Sequence, residues 1–113
     1  MARFYSLFSG SKGNASVVRS GKDSLLIDSG VSCKQILTAM SAHDISIESI
    51  SGILITHSHI DHIRGLRVLC KKLGLKVYAT EETMSTLLEC GHISDQNFGG
   101  IFYENAENIG SFS

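Results

Sequence analysis

The sequence predicts an α/β domain whose sheet starts antiparallel and continues with alternating helices and strands. Three observations carry that expectation. Up to Gly30, short apolar runs are separated by glycine-rich turns, the pattern of neighbouring strands joined by tight connections. From Ser32 onward, apolar residues recur at helical spacing. Between those helical stretches lie short apolar runs that read as buried strands. Strands first, then helix and strand in alternation, argue against a doubly wound sheet. A length of 113 residues is one domain at most, or part of one. A chain of this size buries roughly two-thirds of the surface its unfolded form exposes.

Phe4 to Phe8 alternates aromatic and small residues and reads as a strand, running into the glycine-rich turn Ser9-Gly10-Ser11-Lys12-Gly13-Asn14. Ala15 to Arg19 and Ser24 to Asp28 read as two more strands, with Gly21-Lys22-Asp23 as a hairpin connection. The apolar run Leu25-Leu26-Ile27 ends abruptly in Asp28-Ser29-Gly30. Ser32 is a candidate N-cap for a helix carrying Ile36, Leu37 and Met40. Ile45 and Ile47 bracket a linker, and Ile53-Leu54-Ile55 is a short buried strand. After His62 one helix is expected, with Ile63, Leu66, Cys70 and Leu73 on one face and Gly74 as its stop. Lys76 to Ala79 reads as a strand. Thr80 caps a third helix whose acidic start, Glu81-Glu82, suits the helix dipole. Beyond Gly91 the pattern weakens, with Ile101-Phe102-Tyr103 a candidate strand and another starting near Ser113.

Composition narrows the function classes. The hydrophobic share, 42%, is that of a globular protein, and a net charge of -1 provides no global field to recruit nucleic acid or an anionic membrane. No apolar run approaches the roughly 18 residues that span a bilayer, so no membrane partner is expected. The N-terminus lacks the pattern of a signal peptide. Cys33, Cys70 and Cys90 form no C-x-x-C pair and suit reduced thiols, which makes a cytoplasmic location the expectation.

The chemistry concentrates in Thr56-His57-Ser58-His59-Ile60-Asp61-His62, directly after the Ile53–Ile55 strand. His57 and His59 are two apart, so in an extended segment both rings project from one side. Two imidazole nitrogens so arranged can reach one cation at about 2.0–2.1 Å. Asp61 and His62 follow as the chain turns into the helix and can face a second cation, with a bridging hydroxide between ions roughly 3.5–4 Å apart. Singly, each residue has an ordinary reading: a helix-start histidine, a capping aspartate, polar loop histidines. Together they match two adjacent ligand pairs. Imidazole and carboxylate suit zinc, manganese or iron, with zinc the first expectation.

H-x-H-x-D-H after an apolar strand resembles the metallo-β-lactamase-fold hydrolases. The stretches Phe8 to Ala15, Leu25 to Gly30 and Ile53 to His57 are similar to their YycJ/WalJ (VicX-like) branch. The resemblance implies that His57 and His59 bind the first metal, and Asp61 and His62 the second. Asp61 would also orient the attacking water or hydroxide. Asp28 would support the metal loop through hydrogen bonds, although Asp before Ser-Gly is also common turn chemistry. Ser11 and Asn14 would lie in a loop near the metal mouth and the substrate, where a plain turn reads equally well. The implied fold is the N-terminal half of an αββα sandwich, with residues 1–113 a partial domain. A third histidine, a bridging aspartate and a last histidine would lie beyond Ser113. His92 does not match the missing ligands and reads as a surface-loop histidine.

The implied activity is hydrolysis by a metal-bound hydroxide, of the phosphodiester and DNA-exonuclease kind in the parent protein. Two alternatives stand beside it: a small-thioester or lactone hydrolase, and a truncated, non-catalytic metal-binding or interaction fragment. For these 113 residues in isolation, inactivity is the expectation. A half-sandwich exposes a sheet edge and an inner face, so a homo-oligomer or swapped assembly is expected. Arg64, Arg67 and Lys71 share a helix face and read as a solvated surface before they read as a phosphate-steering one.

Overall fold

The computed structural model describes residues 2–10 and 13–101. Strands β1 (Ala2–Phe8), β2 (Ala15–Ser20) and β3 (Asp23–Ile27) form an antiparallel meander. Strands β4 (Ile50–Ile55), β5 (Val77–Ala79) and β6 (Phe98–Ile101) add parallel to β3, giving a six-stranded sheet in sequential order. Helices α1 (Cys33–Ala42), α2 (Ile60–Ile63), α3 (Leu66–Leu73) and α4 (Glu81–Glu89) supply the crossovers that parallel strands require. The antiparallel start and the later alternation are as the residue pattern predicts.

Register explains the core. Val17, Leu26, Ile53 and Val77 are successive cross-strand partners and form one row on one face of the sheet. All four are fully buried beneath Ile36 and Met40 of α1, Leu66 and Leu69 of α3, and Met84 and Leu87 of α4. Phe4, Val18 and Leu25 form a row on the other face, where Phe4 is 65% exposed and Leu25 lies outside the core cluster. The helices thus cover one face, and the other is left apolar and partly open, as expected of a half-sandwich.

Local signals hold at the helix ends. Ser32 Oγ accepts from the Gln35 N–H at 3.2 Å while Gln35 Oε1 accepts from the Ser32 N–H at 3.2 Å, a reciprocal cap. Ser32→Ala should therefore lower unfolding free energy by about 1 kcal/mol, read from a urea melt; an unchanged midpoint would show the cap to be idle. Thr80 caps α4, and Gly74 ends α3 in the left-handed conformation. Among the described residues, no helix is long and apolar enough to cross a membrane.

Three expectations need correction. The single helix after His62 is two: a turn of helix already starts at Ile60, and α3 begins only at Leu66. The break falls at Gly65, whose N–H donates to Ser29 O at 2.7 Å and whose missing Cβ leaves room for Val31 O, 2.1 Å from where that atom would stand. Asp23 belongs to β3, so the hairpin loop is Gly21-Lys22 alone. The last described strand begins at Phe98, three residues earlier than its apolar residues suggest, after a 3-10 turn at Asp95–Asn97. Phe102, Tyr103 and the expected strand near Ser113 lie outside the described residues.

Candidate metal centre

The histidine loop leaves the C-terminal end of β4, beside the C-terminal end of its parallel neighbour β3, where ligands gather in open α/β sheets. Asp28 stands one residue past β3. It is 5% exposed and holds φ at 62°, a left-handed conformation that aspartate tolerates better than most residues. From there its carboxylate reaches across to the loop. Oδ1 accepts the Thr56 N–H at 2.8 Å, Oδ2 accepts the Thr56 hydroxyl at 2.6 Å, and Oδ2 also lies 2.7 Å from His62 Nδ1. Asp28 thus joins the end of β3 to the loop by hydrogen bonds.

These contacts engage two imidazole rings at Nδ1. An ionised carboxylate only accepts, so the Thr56 proton and a His62 Nδ1 proton both point at Asp28. With its single proton committed, the Thr56 oxygen accepts from His57 Nδ1, 3.0 Å away. A neutral imidazole with its proton on Nδ1 carries a bare Nε2 lone pair, the form that binds a metal. The two ring centroids are 4.8 Å apart, and His62 Nε2 lies 3.6 Å from Asp61 Oδ2. His59 lies alongside His57, centroids 6.0 Å apart and planes within 8° of parallel, as their two-residue spacing predicts.

Asp61 is held from the glycine-rich loop. Asn14 donates its backbone N–H to Asp61 O at 2.7 Å, and its side-chain Nδ2 lies 3.3 Å from both Asp61 O and Asp61 Oδ2. The same amide donates to Gly10 O at 3.0 Å, which closes the loop. Asn14 is thus in the loop beside the candidate ligands, with its amide directed to Asp61. Ser11 lies outside the described residues. Gly30 fits between the two segments: its N–H donates to Asn14 O at 2.8 Å, and a Cβ there would stand 1.7 Å from Asp61 O.

The donor chemistry, imidazole nitrogens and a carboxylate, fits a divalent cation. Among the described residues, no three His, Cys, Asp or Glu side chains converge as a metal cluster. Burial raises the Cys33 thiol, against a smaller opposing effect of Lys72, and pushes Cys70 up to about 12. The donors gathered at the loop are imidazole and carboxylate, so the set is nitrogen and oxygen. His92 is partly buried beyond α4, away from the loop, in a groove with Arg67 and Lys71. Sequence reasoning assigned no role to Thr56. Its hydroxyl next to the first histidine is a signal only once β3 and β4 are known to be neighbours.

The sequence pattern described as the Metallo-beta-lactamase superfamily matches residues 9–110. The chain is 42% identical over 97 residues to a protein named Exodeoxyribonuclease YycJ from Bacillus anthracis, covering 84% of this chain and 37% of that protein. It is 41% identical over 81 residues to Exodeoxyribonuclease WalJ from Streptococcus pneumoniae serotype 2 (strain D39 / NCTC 7466), covering 72% and 30%. The chain thus spans about a third of the length of these relatives. Among solved structures, MEM-A1, a subclass B3 metallo-beta-lactamase from a soil metagenome library, superposes with a TM-score of 0.72 at 22% identity, over 95% of this chain and 48% of that one. The sheet order, the loop it carries and the family pattern agree, and the chain belongs to the metallo-beta-lactamase superfamily.

Proposed function

We propose that this chain carries one part of a two-metal site in a phosphodiesterase that degrades DNA from an end. The observation that carries the reading is that Thr56 and Asp28 engage His57 and His62 at Nδ1, which turns both rings by that edge into the loop beside the Asp61 carboxylate. His57 and His59 would hold one divalent ion, and Asp61 and His62 the other. Bound there, the ions would supply Lewis-acid polarisation of a phosphoryl oxygen and activation of a water at neutral pH. Asp28 fixes the His62 ring and, through Thr56, the His57 ring. Asn14 Nδ2 donates to Asp61 Oδ2 at 3.3 Å, and the carboxylate so held would orient the attacking water. Zinc is the first choice for an all-nitrogen-and-oxygen set, and manganese or iron fit the same donors. DNA as substrate rests on the names of the two relatives.

The reading makes the protein cytoplasmic, where DNA is found and thiols stay reduced; the free Cys33, Cys70 and Cys90 support it. It also gives the open sheet face a covering layer, from a further segment of the protein or from a second copy of the chain. A monodisperse monomer that unfolds cooperatively in sedimentation and thermal melts would count against the second copy.

The test is hydrolysis by the metal-loaded full-length protein of linear DNA, set beside a thioester and a lactone. Mononucleotide release is expected to dominate, and Asp61→Ala to lower it by about two to three orders of magnitude. Bound metal, measured by elemental analysis, should fall in the same variant. Equal DNA hydrolysis by Asp61→Ala, or faster turnover of the thioester or lactone, would sink the proposal.

A further inference from the structure

We propose that the groove between α3 and the segment following α4 binds a phosphate group, at a site separate from the metal centre. The groove has a volume of about 690 Å³ and is lined by Arg67, Lys71 and His92, among others, with no aspartate or glutamate in its wall. That volume falls in the range of small-molecule sites. Arg67 and Lys71 are exposed and four residues apart, so they sit one above the other on one face of α3. Among the described residues, neither is within ion-pair distance of a carboxylate, and neither side chain makes a hydrogen bond. The Arg67 guanidinium lies over Gly91, with Nη2 3.5 Å from where a Cβ would stand, so it reaches across the groove to the segment that carries His92.

Three donor groups from two elements, with no acid among them, suit a ligand bearing several oxyanion oxygens. Phosphate is that ligand: a guanidinium binds two of its oxygens side by side, and an ammonium satisfies a third. Buried Cys70 forms part of the floor as a neutral thiol, adding no negative charge. The Asn97 side chain is occupied, donating to Leu75 O at 3.0 Å and accepting from the Ser94 hydroxyl at 3.0 Å. Specificity then falls to the cations. Topology separates the groove from the metal loop. Gly74, at the end of α3, and Ser94, Gln96 and Asn97, which lead into β6, lie toward the N-terminal ends of the parallel strands. His57 and His59 follow the C-terminal end of β4.

The probes are inorganic phosphate, thymidine monophosphate and a short single-stranded oligodeoxynucleotide, titrated into the full chain with and without bound metal. Amide NMR shifts are read against a chloride control of equal ionic strength. Saturable shifts at Gly91, His92 and Ser94 are expected, and Arg67→Gln combined with Lys71→Gln should weaken binding about tenfold. Both residues are exposed, and an unchanged thermal melt checks that the variant folds. The Lys71→Gln single variant should give an intermediate loss. Tighter binding of the oligonucleotide assigns the groove to a polynucleotide backbone, and equal affinity for all three assigns it to a free phosphate group. Linear, non-saturating shifts, shifts confined to the His57–His62 loop, or equal affinity in the double variant would overturn the proposal. None of these readouts depends on hydrolysis, so the groove and the metal-centre reading can fail separately.

Discussion

Asp28→Ala should lower unfolding free energy by about 3 kcal/mol and metal affinity by about ten- to a hundredfold. The carboxylate is buried and takes three contacts: the Thr56 N–H, the Thr56 hydroxyl and His62 Nδ1. Alanine leaves those donors facing a cavity, and it tolerates the left-handed φ of 62° less well than aspartate does. Asp28→Asn separates the two effects. Asparagine accepts the left-handed backbone and can keep one acceptor on the Thr56 N–H, so most stability survives. Its amide nitrogen, however, donates where Oδ2 accepts. Thr56 must then turn its proton toward His57, and His57 and His62 are pushed to the form with the proton on Nε2. Metal binding should fall nearly as far as in the alanine variant. Calorimetric zinc titration beside a denaturant melt reads both quantities. If the asparagine variant binds zinc like the parent, the Asp28 and Thr56 contacts do not set the ring protons.

Gly30→Ala is expected to cost about 3 kcal/mol or more, because the clash is with backbone. The added Cβ would stand 1.7 Å from Asp61 O, 2.4 Å from Asn14 N and 2.5 Å from Asp61 C. No side chain can swing away. The glycine-rich loop and the first turn of α2 must separate, which breaks the Asn14 N–H to Asp61 O bond of 2.7 Å and the Gly30 N–H to Asn14 O bond of 2.8 Å. Asp61 then loses its anchor, so a drop in metal content should accompany the drop in melting temperature. Gly74→Ala is the control. A Cβ there meets nothing within 4 Å, and only the φ of 63° opposes it, worth about 1 kcal/mol. Equal melting temperatures for the two variants would mean that the loops part without cost.

Legibility in the sequence followed the range of the interaction. The caps at Ser32 and Thr80 and the stop at Gly74 involve residues three or four apart, and each is where the local pattern puts it. The His57–His59 pair is similarly local, since alternation in an extended segment puts both rings on one side. The helix after His62 misled for the opposite reason. Ile63, Leu66, Cys70 and Leu73 keep helical spacing, yet the chain breaks at Gly65 to fit under Val31 and to reach Ser29. A contact spanning over thirty positions leaves no mark on local periodicity.

The sequence by itself determined the fold class, the strand that delivers the loop, and the four residues of H-x-H-x-D-H proposed to carry the chemistry. Residue type and spacing suffice for those, because periodicity selects helix or strand and short-range geometry selects neighbours. Only the tertiary structure decided how those side chains are held. Asp28 meets Thr56 and His62 because β3 and β4 are parallel neighbours, and Asn14 meets Asp61 because Gly30 lets two loops touch. Arg67 and His92 line one groove because α3 and the end of α4 pack on the same face of the sheet. Hydrogen bonds act over about 3 Å, and which residues come that close is set by strand register and helix packing.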